Sequence, residues 1–126
     1  MPKTKVLLVD DEVEFASALA ERLRLRGYDA KTVSRAEKAL TDIQKNPPDV
    51  ILLDFRMPGM DGLEALKKIK EIAPSIEIIM LTGLEDSQSI EEAKKSGAPE
   101  YIMKPADIYE LIEKIDQAKE RSSERK

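Results

Sequence analysis

The chain has 126 residues, 41% hydrophobic and 37% charged, which suits one soluble globular domain with a single core rather than a disordered chain. It has no Cys and no His, so a disulfide, a thiolate nucleophile, an imidazole metal site and a His-based triad are all excluded, and any nucleophile must be Asp, Glu, Ser, Thr, Tyr or Lys. With 21 basic residues against 25 acidic ones, the net charge of −4 argues against sequence-independent nucleic-acid binding, and no apolar run approaches the roughly 18 residues of a membrane span.

The N-terminus runs from Met1 straight into an apolar strand, Val6-Leu7-Leu8-Val9, without a signal-peptide core, and the lack of Cys suits a reducing cytoplasm. That strand ends in Asp10-Asp11. A helix is expected from near Glu12, with Phe15, Ala16, Leu19, Ala20 and Leu23 at helical spacing and Gly27 as its stop. Tyr28 to Val33 reads as a second strand. Ser34 with Glu37 has the pattern of a capping box opening a helix through Ala36, Ala39, Leu40 and Ile43, which Pro47-Pro48 ends.

Val50-Ile51-Leu52-Leu53-Asp54 is a third strand, followed by the turn Met57-Pro58-Gly59-Met60-Asp61-Gly62. Asp61 with Glu64 caps a helix striped by Leu63, Leu66, Ile69 and Ile72, closed by Pro74. A fourth strand, Ile76 to Leu81, ends in Thr82-Gly83. The helix after it is expected to start near Asp86 or Ser87, to carry Ile90 and Ala93, and to stop at Gly97; its apolar face is the narrowest of the five. Tyr101-Ile102-Met103 is a fifth strand, ending in Lys104-Pro105. Asp107 with Glu110 caps a last helix through Ile108, Leu111, Ile112, Ile115 and Ala118. The polar run from Lys119 to Lys126 is expected to be a frayed helix end or the start of a linker, which places the domain at 1–118 and a tail at 119–126.

Strictly alternating strands and helices predict an α/β fold, a (βα)5 doubly wound parallel sheet of five strands in the order 2-1-3-4-5. In such a sheet the polar strand ends meet at the carboxyl edge, where open α/β sheets bind ligands. Asp10, Asp11 and Asp54 would then crowd together. Carboxylates about 5 Å apart repel by roughly 3 kcal/mol per pair at an effective dielectric near 20, so the cluster needs a cation or a proton. Mg2+ suits it best, being hard and content with carboxylate, phosphate and water oxygens. Glu12 reads as a complement to the helix dipole rather than a ligand.

Asp54 can serve as ligand, general base or nucleophile, and attack on a phosphoryl donor would give an aspartyl phosphate. Thr82 can donate to a phosphoryl oxygen, Gly83 leaves room for a bulky donor, and Lys104 supplies a point charge, with a cis bond to Pro105 as a fixed turn aiming it inward. Tyr101 is equally readable as core filler or as part of the site.

Together these motifs resemble the receiver domain of two-component response regulators, with its flavodoxin-like fold. The likeness spans about Lys5 to Ala118 and rests on Leu-Val-Asp-Asp-Glu at Asp10-Asp11, Leu-Leu-Asp-Phe-Arg-Met-Pro-Gly-Met-Asp-Gly at Asp54, Met-Leu-Thr-Gly at Thr82 and Tyr-Ile-Met-Lys-Pro at Lys104-Pro105. The resemblance implies that Asp54 accepts a phosphoryl group from a sensor histidine kinase's phosphohistidine or from a phosphotransfer protein. It implies Mg2+ on Asp11 and Asp54 directly, on Asp10 through water, and on the Arg56 backbone carbonyl. It also implies that Thr82 follows the phosphoryl group, that Tyr101 rotates inward behind it, and that Lys104 pairs with it ahead of a cis bond to Pro105. The face made by the fourth helix, fifth strand and fifth helix would thereby change toward an effector or downstream partner, with a dimer possible on activation. The domain would catalyse only its own phosphorylation and dephosphorylation.

Arg56 and Leu84, two residues beyond Asp54 and Thr82, offer no acid or amide to orient water, so slow self-dephosphorylation is expected. Ala106 is smaller than the residue often found after Lys-Pro. Two other readings compete: a receiver-like module that is never phosphorylated, and a phosphatase with an Asp nucleophile and Mg2+. The phosphatase chemistry expects Asp-x-Asp, which Asp54-Phe55-Arg56 breaks. A flavin or dinucleotide site would need a Gly- or hydroxyl-rich first loop, where this chain has Asp-Asp-Glu.

Overall fold

The computed structural model describes residues 2–83 and 87–124, with the backbone alone at 87, 123 and 124. Five strands, β1 (Lys5–Val9), β2 (Asp29–Val33), β3 (Val50–Asp54), β4 (Glu77–Thr82) and β5 (Glu100–Met103), alternate with five helices, α1 (Val13–Leu25), α2 (Ala36–Lys45), α3 (Gly62–Ile72), α4 (Ser87–Lys95) and α5 (Ile108–Glu124). All strand pairs are parallel, in the order β2-β1-β3-β4-β5. This is the doubly wound sheet expected from the alternation.

Successive side chains along a strand face opposite sides of the sheet, and each side has its own core. Leu7, Val9, Ile51, Leu53, Ile78 and Met80 pack on one side with α2 and α3 residues such as Ala39, Ile43, Leu66 and Ile69. Val6, Leu8, Val50, Leu52, Ile79 and Leu81 pack on the other with Leu19 and Leu23 of α1 and Leu111 and Ile115 of α5. Because β3 and β4 are covered on both faces, all of their residues are buried, which explains their almost unbroken apolar sequences.

The helix boundaries show which local signals act. Gly27 and Gly97 follow the ends of α1 and α4 with φ of 93° and 111°, a conformation that favours glycine. Asp61 caps α3 as its sequence suggests, its Oδ1 accepting from the Glu64 N–H at 2.9 Å. Asp107 also caps, but its Oδ1 accepts from Tyr109 N–H at 3.0 Å rather than from Glu110. The capping box expected at Ser34 does not form. Arg35 takes the N-cap position without a side-chain bond, and Glu37 lies 3.8 Å from Arg35 in an ion pair, so Ser34 sits one residue too early. The possible helix start at Asp86, like Leu84, lies outside the described residues.

The polar run after Ala118 differs most from expectation. Helix α5 continues to Glu124, with Ala118 and Ser122 buried beneath it. Lys119 Nζ meets Asp49 Oδ1 at 2.9 Å and Arg121 Nε meets Glu77 Oε1 at 2.9 Å. These residues lack an apolar stripe because their partners are acids at the amino ends of β3 and β4.

Candidate functional site

The sheet register builds the site. Val9 pairs with Leu53 and Asp54 with Leu81, so Asp10 lies beside Asp54, and Thr82 lies one step further along β4. Thr82 pairs with Met103, which puts Lys104 at the same edge. Backbone bonds carry the ladders past the strand ends: Asp10 N–H donates to Val33 O at 3.1 Å, Phe55 N–H to Leu81 O at 3.1 Å, and Lys104 N–H to Thr82 O at 2.8 Å.

Asp10, Asp54 and Thr82 are buried at 1%, 5% and 4% exposure, unusual for residues of their type at strand ends. The Lys104 ammonium reaches into this edge, 2.8 Å from Asp10 Oδ2 and 3.5 Å from Asp54 Oδ2, and donates a short hydrogen bond to Glu12 Oε1. It also sits 4.8 Å from the centroid of the Phe15 ring. The peptide bond to Pro105 is cis. Asp11 is exposed and lines the same pocket, about 120 Å³ in volume, with Asp54, Thr82, Gly83 and Lys104. An adjoining cleft of about 580 Å³ is lined by Asp11, Arg56, Thr82 and Ser89 among others.

Burial pushes the Asp54 carboxyl up to about 6; the Asp10 charge adds to this, Lys104 and the Arg56 N–H at 3.5 Å oppose it, and Asp11 raises it further. Burial works against the Lys104 charge, but its contacts with Asp10 and Glu12 and the charge of Asp54 outweigh burial and raise its pKa. Asp10, Glu12 and Asp54 each place a carboxylate oxygen within 4.8 Å of the others. Among the described residues, one ammonium among three carboxylates leaves an excess of two negative charges, with Asp11 at the rim adding a third.

This donor set fits a hard divalent cation. Asp10 Oδ2 is buried with the Lys104 ammonium at 2.8 Å but no aligned hydrogen bond, so it keeps acceptor capacity that a cation can use.

Two participants escaped sequence reasoning. Glu12 joins the cluster through Lys104, where it had been read as a dipole complement only. Gly62 opens α3, and a Cβ there would lie 2.0 Å from the Asp54 carbonyl oxygen and 2.7 Å from Phe55 Cα, while its N–H donates to Phe55 O at 2.9 Å. The available signal was a glycine just inside a helix, where it weakens the helix and so calls for a packing reason. Tyr101 is half-buried and packs against the core layer of α3 and α4. Arg56 is exposed, Gly83 has open space around it, and Ala106 packs at the edge of the layer under α1 and α5.

A family model of the response regulator receiver domain matches residues 6–116. The chain belongs to the response regulator receiver family. As a receiver, it is 36% identical over 115 residues to the sporulation initiation phosphotransferase F of Bacillus subtilis, covering 91% of this chain and 93% of that protein. It is 35% identical over 116 residues to the transcriptional regulatory protein ZraR of Salmonella typhimurium, covering 92% of this chain but only 26% of ZraR. Among solved structures, a CheY-like receiver domain from Methanospirillum hungatei matches with a TM-score of 0.93 at 27% identity, covering 99% of this chain and all of that one. A receiver domain from Clostridium thermocellum matches with a TM-score of 0.92 at 31% identity, covering 98% and 99%. The receiver is a phosphorylation-dependent signalling switch of a two-component system, and receivers bind Mg2+ in an acidic pocket.

Proposed function

We propose that Asp54 is the phosphoacceptor of this receiver. The observation that carries the assignment is a buried carboxylate facing a small pocket, with the Lys104 ammonium at 3.5 Å and further acids beside it. In the reaction an Asp54 oxygen attacks the phosphorus of a kinase's phosphohistidine; the new O–P bond forms as the P–N bond breaks, and the imidazole leaves with that electron pair. Mg2+ would be held by Asp11 and Asp54, by Asp10 through water and by the Arg56 carbonyl, and would supply charge neutralisation for the incoming phosphoryl oxygens.

Lys104 pairs with one phosphoryl oxygen and Thr82 donates its hydroxyl to another, with Gly83 leaving room for the donor and Pro105 turning the chain behind Lys104. Tyr101 moves further inward as Thr82 shifts, and the face of α4, β5 and α5 carries the change to an effector domain or downstream protein, with dimerisation as one form of output. Exposed Met103 already lies on that face, beside Lys94, Glu110 and Lys114. The partner upstream is a sensor histidine kinase or phosphotransfer protein, and the cytoplasm is the compartment. The domain catalyses only its own phosphorylation and dephosphorylation.

Intact mass with acetyl phosphate and Mg2+ tests the assignment. The wild-type chain should gain one phosphoryl group, and Asp54→Asn should gain none. A wild type that stays unmodified would instead support the receiver-like module that works without phosphorylation. Continued release of inorganic phosphate from p-nitrophenyl phosphate would revive the phosphatase reading.

A further inference from the structure

An ammonium carries three N–H donors and no acceptor. In this structure the Lys104 ammonium is already surrounded by three carboxylates: Asp10 at 2.8 Å, Asp54 at 3.5 Å, and Glu12, which takes the shortest contact. Of these contacts the one to Glu12 is the well-aligned hydrogen bond, so a phosphoryl oxygen arriving on Asp54 competes with an acid for the ammonium, and one acid has to yield.

Asp10 is poorly placed to do so. It is 1% exposed, its Oδ1 accepts from the Glu12 N–H at 2.9 Å, and its Oδ2 has no better partner than the ammonium. Asp54 carries the phosphoryl group itself. Glu12 differs from both, because its side chain is 61% exposed and can exchange the ammonium for water at little cost.

We propose that Glu12 is a competing anion, occupying the Lys104 donor that a phosphoryl oxygen needs and so setting how readily the pocket accepts that group. The inference rests on the receiver reading of the site. It makes Glu12 a positioning residue, acting only through Lys104. Glu12 favours the empty state, and its removal favours the occupied one. An exposed pair of this kind shifts an equilibrium by only a few-fold, so the effect is a fine adjustment rather than a block.

Beryllofluoride with saturating Mg2+, followed by 19F NMR, measures the occupied state without a covalent step. Glu12→Gln should tighten beryllofluoride binding about two- to fivefold, while Glu14→Gln, which removes an exposed acid from the same helical turn, should leave it unchanged. In a Lys104→Met background, titrated to higher beryllofluoride, Glu12→Gln should have no effect, because the donor it competes for is gone. Unchanged or weaker binding by Glu12→Gln would overturn the proposal, as would an equal gain in the Lys104→Met background, which would assign the effect to bulk charge. Failure of the wild type to bind, or equal binding by Asp54→Asn, would instead bring down the receiver reading on which the proposal rests.

Discussion

The two edges of the sheet handle buried charge in opposite ways. At the amino edge each acid has its own base: Asp49 meets Lys119 at 2.9 Å and Glu77 meets Arg121 at 2.9 Å. At the carboxyl edge Asp10, Glu12 and Asp54 share the single Lys104 ammonium, with Asp11 at the rim. The first arrangement is electrically closed and ties the end of α5 to the strands. The second is left short of positive charge, an arrangement that costs stability in the metal-free protein and that a bound cation would offset. Buried ion pairs alone do not mark function; an imbalance among them does.

Gly62→Ala attacks the carboxyl edge hardest. With no space for a Cβ against the Asp54 carbonyl, the substitution should cost about 3 kcal/mol in chemical denaturation and impair phosphorylation together with stability. A neutral result would mean that the loop repacks and the close approach is unimportant.

Arg121→Ala separates the two edges. It should cost about 2 kcal/mol by leaving Glu77, 2% exposed, without its guanidinium, yet Mg2+ affinity should stay at the wild-type level. A matching loss of Mg2+ binding would show that the edges are coupled.

Titration gives an effect of similar size. The folded-state pKa of Asp54, about 6, lies above the unfolded value of about 3.9, so the native protein binds this proton more tightly. The contribution of the group to stability is therefore fully present below about pH 4 and lost as pH rises toward 6. Without metal, Asp54→Asn should be the more stable protein at pH 7 by about 2 kcal/mol, the gap closing as pH falls through that window in paired denaturation curves. With Mg2+ the order should narrow or reverse, since the cation stabilises the ionised carboxylate. A gap that does not vary with pH would show that the strain at Asp54 is not electrostatic.

Much of this was legible in the chain. Strand β3 has the bounds its apolar run implied, and the order of the sheet followed from strict alternation of strands and helices. The convergence of Asp10, Asp54, Thr82 and Lys104 followed in turn, because a parallel register leaves little choice of neighbours at its end. What stayed hidden depends on partners remote in sequence. Lys119 and Arg121 read as a linker because their acids lie 70 and 44 residues away. Glu12 looked like a helix-end charge because its base is 92 residues distant. Ser34 failed as a cap because the helix opens one residue later, with Arg35 at the N-cap position.

The close approach at Gly62 also gives the pocket a mechanical asymmetry. On the α3 side the backbone is clamped, the Gly62 amide fastened to the Phe55 carbonyl and no slack beside Asp54. On the other side, among the described residues, nothing beyond its chain neighbours lies within 4 Å of a Cβ placed on Gly83. A load added at Asp54 would then meet resistance on the α3 flank and pass toward β4 and α4. Amide hydrogen exchange should show α3 unmoved by beryllofluoride while protection changes in α4; equal change in both would mean that the clamp gives way.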